Sequence, residues 1–280
     1  MKTYEEFITG YTQLLKDARE IRLGNYDRSV WPILDSKPPI AMIFSPHPDD
    51  EVLMGAPLAM RLRREGYRIV NVAMTLGRPE QRERRATELK GACAYLDFEL
   101  TVLASNGFDS ASKSLRKSEV WLWLSQVNTI AGFIHRIMPK IIIIHHHHDA
   151  HHEHQGTALM VRGALQCIEW SGIVFEGEYW SEVQNPNLML EVSAEQLIQM
   201  LEALSCHKGE LERNPYDRRE PARLSNNVRR SEIVLGRGTA APAFDFAAMY
   251  RRNQCVKGKV LPRPGKKLVL DKTDSIEYVT

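Results

Sequence analysis

The sequence predicts a Rossmann-like three-layer α/β fold with a mostly parallel central sheet. Three observations carry this expectation. Short apolar runs alternate with helix-period segments in the order β-α-β-α-β-α-β, which implies parallel strands joined by right-handed crossovers. The run at 40–44 is apolar throughout and the run at 141–144 is pure isoleucine, as expected of strands covered on both faces. Two polar stretches, 45–51 and 145–154, begin where these strands end. In such sheets, ligands collect at the carboxyl ends of the strands.

In chain order, residues 3–22 read as a helix with Phe7, Tyr11, Leu14 and Leu15 on one face. A polar, irregular link through Trp31-Pro32 and Lys37-Pro38-Pro39 releases the first strand at 40–44. The next helix is expected to open at Gly55-Ala56-Pro57, where proline is tolerated at a first helical position, and to stop at Gly66. Residues 47–51 would then lie in a loop. A second strand follows at 69–74. Pro79 opens a helix whose Ala86, Leu89, Cys93 and Leu96 form an apolar face. A third strand is expected over 98–103 and a long helix over 120–138, stopped by Pro139. Ile141, Ile142, Ile143 and Ile144 are β-branched and too few for a helix, so they read as a central strand. A helix to about Trp170, a strand at 188–192 and a helix at 194–204 complete the regular pattern. Beyond His207, arginines among Pro, Asn and Gly read as an irregular part. With no repeat or low-complexity linker, the expectation is one domain over 1–280, with its core at about 38–207 and a C-terminal extension over 208–280.

Composition narrows the function classes. The formal net charge is +2, which gives no reason to invoke nucleic acid. Four scattered cysteines suit a reducing compartment and argue against a thiolate metal site. The first residues carry acids where a signal peptide would be basic and then apolar. No apolar run approaches the roughly 20 residues needed to span a bilayer. The expectation is a cytoplasmic protein without a membrane span.

His47 and Asp50, three apart, offer an imidazole and a carboxylate to a divalent ion. A catalytic zinc site takes three protein ligands, and the third would come from the second histidine run. Asp49 is then free to act as a base. Taken alone, Asp49 and Asp50 would equally serve as a helix cap. The second cluster at a neighbouring strand end favours one shared site. Not all histidines from His145 to His154 can bind one ion, and spacing does not choose among them.

His47-Pro48-Asp49-Asp50-Glu51 after an apolar strand, Thr75-Leu76-Gly77, Arg85 with Glu88 on a helix, and His151-His152-Glu153-His154 together resemble the LmbE-like, or PIG-L, family of zinc-dependent de-N-acetylases. Members typically remove acetyl groups from N-acetylglucosaminyl compounds. The resemblance runs over about 40–154 and extends to a helix ending in His207. It implies one zinc ion held by His47, Asp50 and His154. It makes Asp49 the general base, and His151 the group that stabilises the oxyanion or shuttles a proton, steered by Glu153. It places Arg85, with Glu51, at the substrate. The family usually carries aspartate where Glu153 stands. Rival readings are a hydrolase of another amide or a thiol conjugate, and a non-catalytic metal or sugar-phosphate binding protein; an intact Asp49 favours an enzyme. A dehydrogenase fits less well, since no Gly-x-Gly-x-x-Gly follows a strand. The expected partner is a small N-acetylated, sugar-type substrate, with a homo-oligomer also open. Trp121 and Trp123 are expected to pack rather than to hold a sugar. His135 is expected in the core or at the surface, and Arg229-Arg230 on a solvated face. Tyr179 and Trp180 are candidates for the pocket mouth.

Overall fold

The computed structural model describes residues 3–263 and 268–278; residues 1, 2, 264–267, 279 and 280 lie outside the described residues. The chain runs α1 (Tyr4–Asp17), β1 (Ile40–Ser45), α2 (Ala56–Arg64), β2 (Arg68–Ala73), α3 (Arg82–Leu96), β3 (Glu99–Val102), α4 (Leu115–Ser118), α5 (Val120–Ile137), β4 (Ile141–His145), α6 (His152–Cys167) and β5 (Gly172–Gly177). It continues through β6 (Leu188–Glu191), α7 (Ala194–Leu204), α8 (Lys208–Arg213), α9 (Tyr216–Arg229), α10 (Glu232–Leu235), β7 (Ala247–Val256), β8 (Lys259–Pro262) and β9 (Leu268–Leu270).

The sheet order is β3-β2-β1-β4-β5-β7-β6-β9, with β8 paired to β7. The first five strands in that order are mutually parallel. From β1 the chain winds outward through β2 to β3, then returns to place β4 on the other side of β1. The winding therefore reverses between β1 and β4, and the crevice at their carboxyl ends is where such sheets bind ligands. Both polar stretches open onto it.

The isoleucines of β4 divide between the two layers. Ile141 and Ile143 join the core beneath α2, α3 and α7, while Ile142 and Ile144 join the core beneath α5 and α6. β1 divides the same way, Ala41 and Ile43 against Met42 and Phe44. Alternate residues of a strand point to opposite faces, so burial on both sides demands an unbroken apolar run. Each fully buried side chain of this size contributes about 1.5–3 kcal/mol. The helices stop where the sequence indicates: Gly66 at φ +90° follows α2, and Met138 in the left-handed region precedes Pro139 after α5. At the N-terminus, Thr3 and Glu6 form a capping box on α1. This helix ends at Asp17 and gives way to a 3₁₀ turn over Ala18–Glu20, short of the expected residue 22.

Two parts of the sheet depart from the sequence reading. β5 was not anticipated, and the described residues beyond His207 are largely regular: they supply α8, α9, α10 and the ten-residue β7, antiparallel to both β5 and β6. Their polar residues hid them. Glu176 in β5 is buried, and it accepts hydrogen bonds from Arg162 Nη2 (2.6 Å) and Asn253 Nδ2 (2.9 Å). Arg230 is likewise buried rather than solvated, with Nη1 2.6 Å from Glu178 Oε1. Trp123 packs as expected, but Trp121 is 86% exposed. His135 is exposed.

Glu176 makes the fold sensitive to acid. Burial alone would raise its pKa, but the hydrogen bond to His147 and the Arg162 guanidinium bring it down from 4.5 to about 2. A pKa lowered by folding contributes stability that is complete above the unfolded value of 4.5 and is lost as pH falls through about 2. Glu176→Gln should therefore flatten the acid limb. Between about pH 6 and pH 3, its urea midpoint should fall less than that of the parent. Equal slopes in the two proteins would show that other carboxylates control acid unfolding.

Candidate functional site

The first half of the site is a sharp turn out of β1. Helical structure begins at Asp50 rather than at Gly55, because a π-helical turn over Glu51–Gly55 precedes α2. Wide turns of this kind recur at functional sites. Asp49 sits at φ +123°, a conformation that ordinarily suits glycine and costs about 1–3 kcal/mol elsewhere. Its N–H donates to Glu51 Oε2 (2.9 Å), and its carbonyl accepts from the N–H groups of Val52 (3.0 Å) and Leu53 (2.9 Å). The His47 N–H donates to Asp50 Oδ2 (2.9 Å), and His47 Nδ1 lies 3.2 Å from the same oxygen.

The second half comes from β4 and the start of α6. His145, the last residue of β4, is fully buried, with Nε2 3.1 Å from Asp50 Oδ1. His154 Nε2 lies 3.5 Å from that oxygen, and its Nδ1 lies 3.2 Å from Asp149 Oδ1. Asp149 also accepts from the N–H groups of His151 (2.8 Å) and Trp180 (3.2 Å), so it ties His154 to the rim. His151 caps α6, its Nδ1 accepting from the Glu153 N–H at 3.3 Å.

His47, Asp50 and His154, singled out from the sequence, thus converge. Their donors fall into two overlapping sets whose atoms lie within 4.8 Å of one another: His47 with His151 and His154, and Asp50 with His145 and His154. His145 was left undecided among the histidines. Alternation would have found it, since counting by twos from Ile141 through Ile143 puts it on the face toward the π turn.

The donor set fits a divalent ion. Burial and the His145 charge lower the His154 pKa to about 4, so its imidazole is neutral and free to coordinate at neutral pH. His145 Nδ1 and His154 Nε2 are buried without a hydrogen-bond partner among the described residues, while His154 Nδ1 faces Asp149. Burial opposes ionisation of Asp50, but the histidines facing it hold its carboxyl well below the usual range. Burial would also lower His47; the carboxylates of Asp50 and Glu153 overcome this and raise it to about 10, which marks a place where positive charge is favoured. Imidazole nitrogens with one carboxylate oxygen are ligands typical of a catalytic zinc. Asp49 is pushed the other way. Burial and the neighbouring Asp50 charge raise its carboxyl well above the ordinary range.

A cavity of about 120 Å³ opens on the cluster, lined by His47, Asp49, Asp50, His151, His154 and Arg85. Tyr179 and Trp180 stand at it as anticipated, joined by Glu210, Arg213 and Tyr216, which sequence reasoning missed in the stretch read as irregular. A larger cavity of about 680 Å³ lies at the opposite ends of the strands, near Lys140 and Gly172, away from the donors.

Two expected placements need correction. Glu51 does not reach the cavity: it is fully buried, with Oε1 2.6 Å from His207 Nε2 and Oε2 taken by the Asp49 N–H. Glu153 does not steer His151 with its carboxylate. Its Oε2 lies 2.5 Å from His47 Nε2, and Oε1 accepts from Ser110 Oγ (3.2 Å). Only its backbone N–H touches His151.

Residues 42–165 match the family model described as PIG-L, GlcNAc-PI de-N-acetylase. No curated protein sequence matches the chain. Among solved structures, N,N'-diacetylchitobiose deacetylase from Pyrococcus horikoshii is similar with a TM-score of 0.58 at 13% identity, covering 94% of each chain. The 4-carboxy-2-hydroxymuconate hydratase of Pseudomonas putida KT2440 is similar with a TM-score of 0.58 at 15% identity, covering 82% of this chain and 99% of its own. The zinc-inhibited form of teicoplanin deacetylase follows, with a TM-score of 0.56 at 15% identity, covering 77% of this chain and 98% of its own. At these identities the likeness shows the fold alone, and the hydratase shows that the fold hosts other chemistry. The family model that matches is that of a de-N-acetylase. No helix among the described residues is long and apolar enough to cross a membrane.

Proposed function

We propose that this chain, which matches the PIG-L family model over residues 42–165, is a zinc-dependent hydrolase that removes an acetyl group from an N-acetylglucosamine-type or related N-acyl substrate. The observation that carries this reading is the placement of Asp49, a carboxyl whose proton affinity burial raises, beside the buried imidazole donors in one cavity. His47, Asp50 and His154 would hold the ion. When bound, zinc supplies Lewis acidity that polarises an amide carbonyl and makes a water acidic near neutral pH.

The chain's own residues do the rest. Asp49 takes the proton of the attacking water and delivers a proton to the departing amine. His151 accepts the Glu153 N–H at Nδ1, so its neutral form carries its proton on Nε2. That N–H donor at the cavity wall suits the developing oxyanion. Glu153 orients His47 rather than His151. The faces of Tyr179, Trp180 and Tyr216, with the polar Arg85, Arg213 and Glu210 around them, suit a sugar ring and its hydroxyls. The four cysteines are unpaired, which supports a cytoplasmic setting.

Acetate and amine release across a panel of N-acetylglucosamine conjugates tests the reading. The expected result is turnover that a chelator abolishes and added zinc restores. Tight metal binding with no acyl release from any N-acyl substrate would favour a binding protein instead. Turnover indifferent to the chelator would remove the metal from the mechanism.

A further inference from the structure

Glu51 and His207 form a pair that the reading above leaves unused. Both are buried, at 0% and 1% exposure, and neither lines the cavity. A buried carboxylate is costly unless its oxygens are satisfied. Those of Glu51 have two partners, His207 Nε2 at 2.6 Å and the Asp49 N–H at 2.9 Å. No lysine or arginine forms an ion pair with it among the described residues.

The Asp49 contact falls where the backbone needs support. A non-glycine residue at φ +123° persists only when its surroundings over-determine it. The carbonyl of Asp49 is held by the first N–H groups of the π turn, and its N–H by Glu51 alone. His207 in turn anchors Glu51 from 156 residues away, at the junction of α7 and α8. Its own backbone N–H donates to Leu204 (2.9 Å), and its carbonyl accepts from Glu210 (3.1 Å) and Leu211 (3.0 Å). The same junction starts α8, which carries Glu210 and Arg213 to the cavity wall. One buried contact therefore fixes the base turn and the adjoining wall together.

We infer that Glu51 and His207 are positioning residues: through the bond from Glu51 to the Asp49 N–H they hold Asp49 in its left-handed backbone conformation, so that its carboxyl stands in the cavity. This rests on the functional reading of Asp49 given above. Losing the bond lets the Asp49 backbone relax, and misplacing a reacting group by about 1 Å can cost about a hundredfold in rate.

The test compares Glu51→Ala, Glu51→Gln and His207→Phe in the zinc-loaded full chain, with steady-state kinetics and amide hydrogen exchange at Asp49. Glu51→Ala and His207→Phe should lose kcat by about a hundredfold. KM should change less than about threefold, and zinc content should be retained. The Asp49 amide should exchange at least about tenfold faster in both. Glu51→Gln keeps a carbonyl oxygen for the Asp49 N–H and should retain most of kcat and the slow exchange. If His207→Phe does not fold, the Glu51 pair decides alone. Unchanged Asp49 exchange in Glu51→Ala overturns the inference, as does a kcat loss that Glu51→Gln fails to rescue. A parent with no hydrolytic activity but with the expected exchange pattern defeats the functional reading and leaves the positioning role standing.

Discussion

Asp49→Asn should lower the rate of deacetylation by about 10² to 10⁴ while leaving zinc content at the parent's level. The substitution is close to isosteric. Asparagine tolerates positive φ better than most residues, so the φ of +123° gives it no new strain. The backbone bond to Glu51 and the two accepted by the Asp49 carbonyl are unaffected, since none of them uses the side chain. What disappears is the ability to take up a proton. Asp49 is suited to that task because burial and the Asp50 charge raise its carboxyl, while Asp50, facing His154 and His145, is held ionised. Two adjacent acids pushed in opposite directions mark a division between proton transfer and charge stabilisation. The check is acetate release at saturating substrate beside elemental analysis of the same sample. A variant that keeps more than about a third of the parent's rate would take the base away from Asp49.

That division was legible in the sequence only in part. β1 and β4 stood out because burial on both faces forces an unbroken apolar run, and this placed 45–51 and 145–154 at strand ends. Parallel winding then put those ends side by side, so His47 and Asp50 could be joined to the second histidine run from pattern, while the choice of His154 within that run came from the family resemblance. Strands held by polar networks were not legible. Glu176 interrupts β5, and Arg251 and Arg252 interrupt β7, so neither reads as apolar. Their partners, Arg162 and Asn253 for Glu176, lie on other elements. The same blindness hid Arg230, whose partner Glu178 is 52 residues away. It also misplaced Glu51: an acid next to Asp49 and Asp50 looks like part of the pocket until His207 is seen against it. The direction of Glu153, toward His47 instead of His151, depends on the cap that His151 makes with its backbone. No local pattern encodes that.

Asp50→Ala should abolish stoichiometric zinc binding. Asp50 is the one carboxylate in the two converging donor sets, and both of its oxygens are engaged. Oδ2 faces His47 Nδ1 at 3.2 Å; Oδ1 faces His145 Nε2 at 3.1 Å and His154 Nε2 at 3.5 Å. Removing it leaves the two converging donor sets with imidazoles only and no carboxylate ligand for a dication. His154→Ala should do the same, because His154 belongs to both sets. The residues that orient ligands are expected to matter less. Asp149→Ala frees the His154 ring, and Glu153→Ala frees the His47 ring; each should weaken zinc by about 10- to 100-fold without abolishing it. Competition against a chromophoric chelator, with total metal by elemental analysis, separates these classes. If Asp50→Ala binds zinc as tightly as the parent, the ion lies among His47, His151 and His154 and the assignment of Asp50 as a ligand fails. If Asp149→Ala loses as much as Asp50→Ala, orientation of His154 is as decisive as the carboxylate itself.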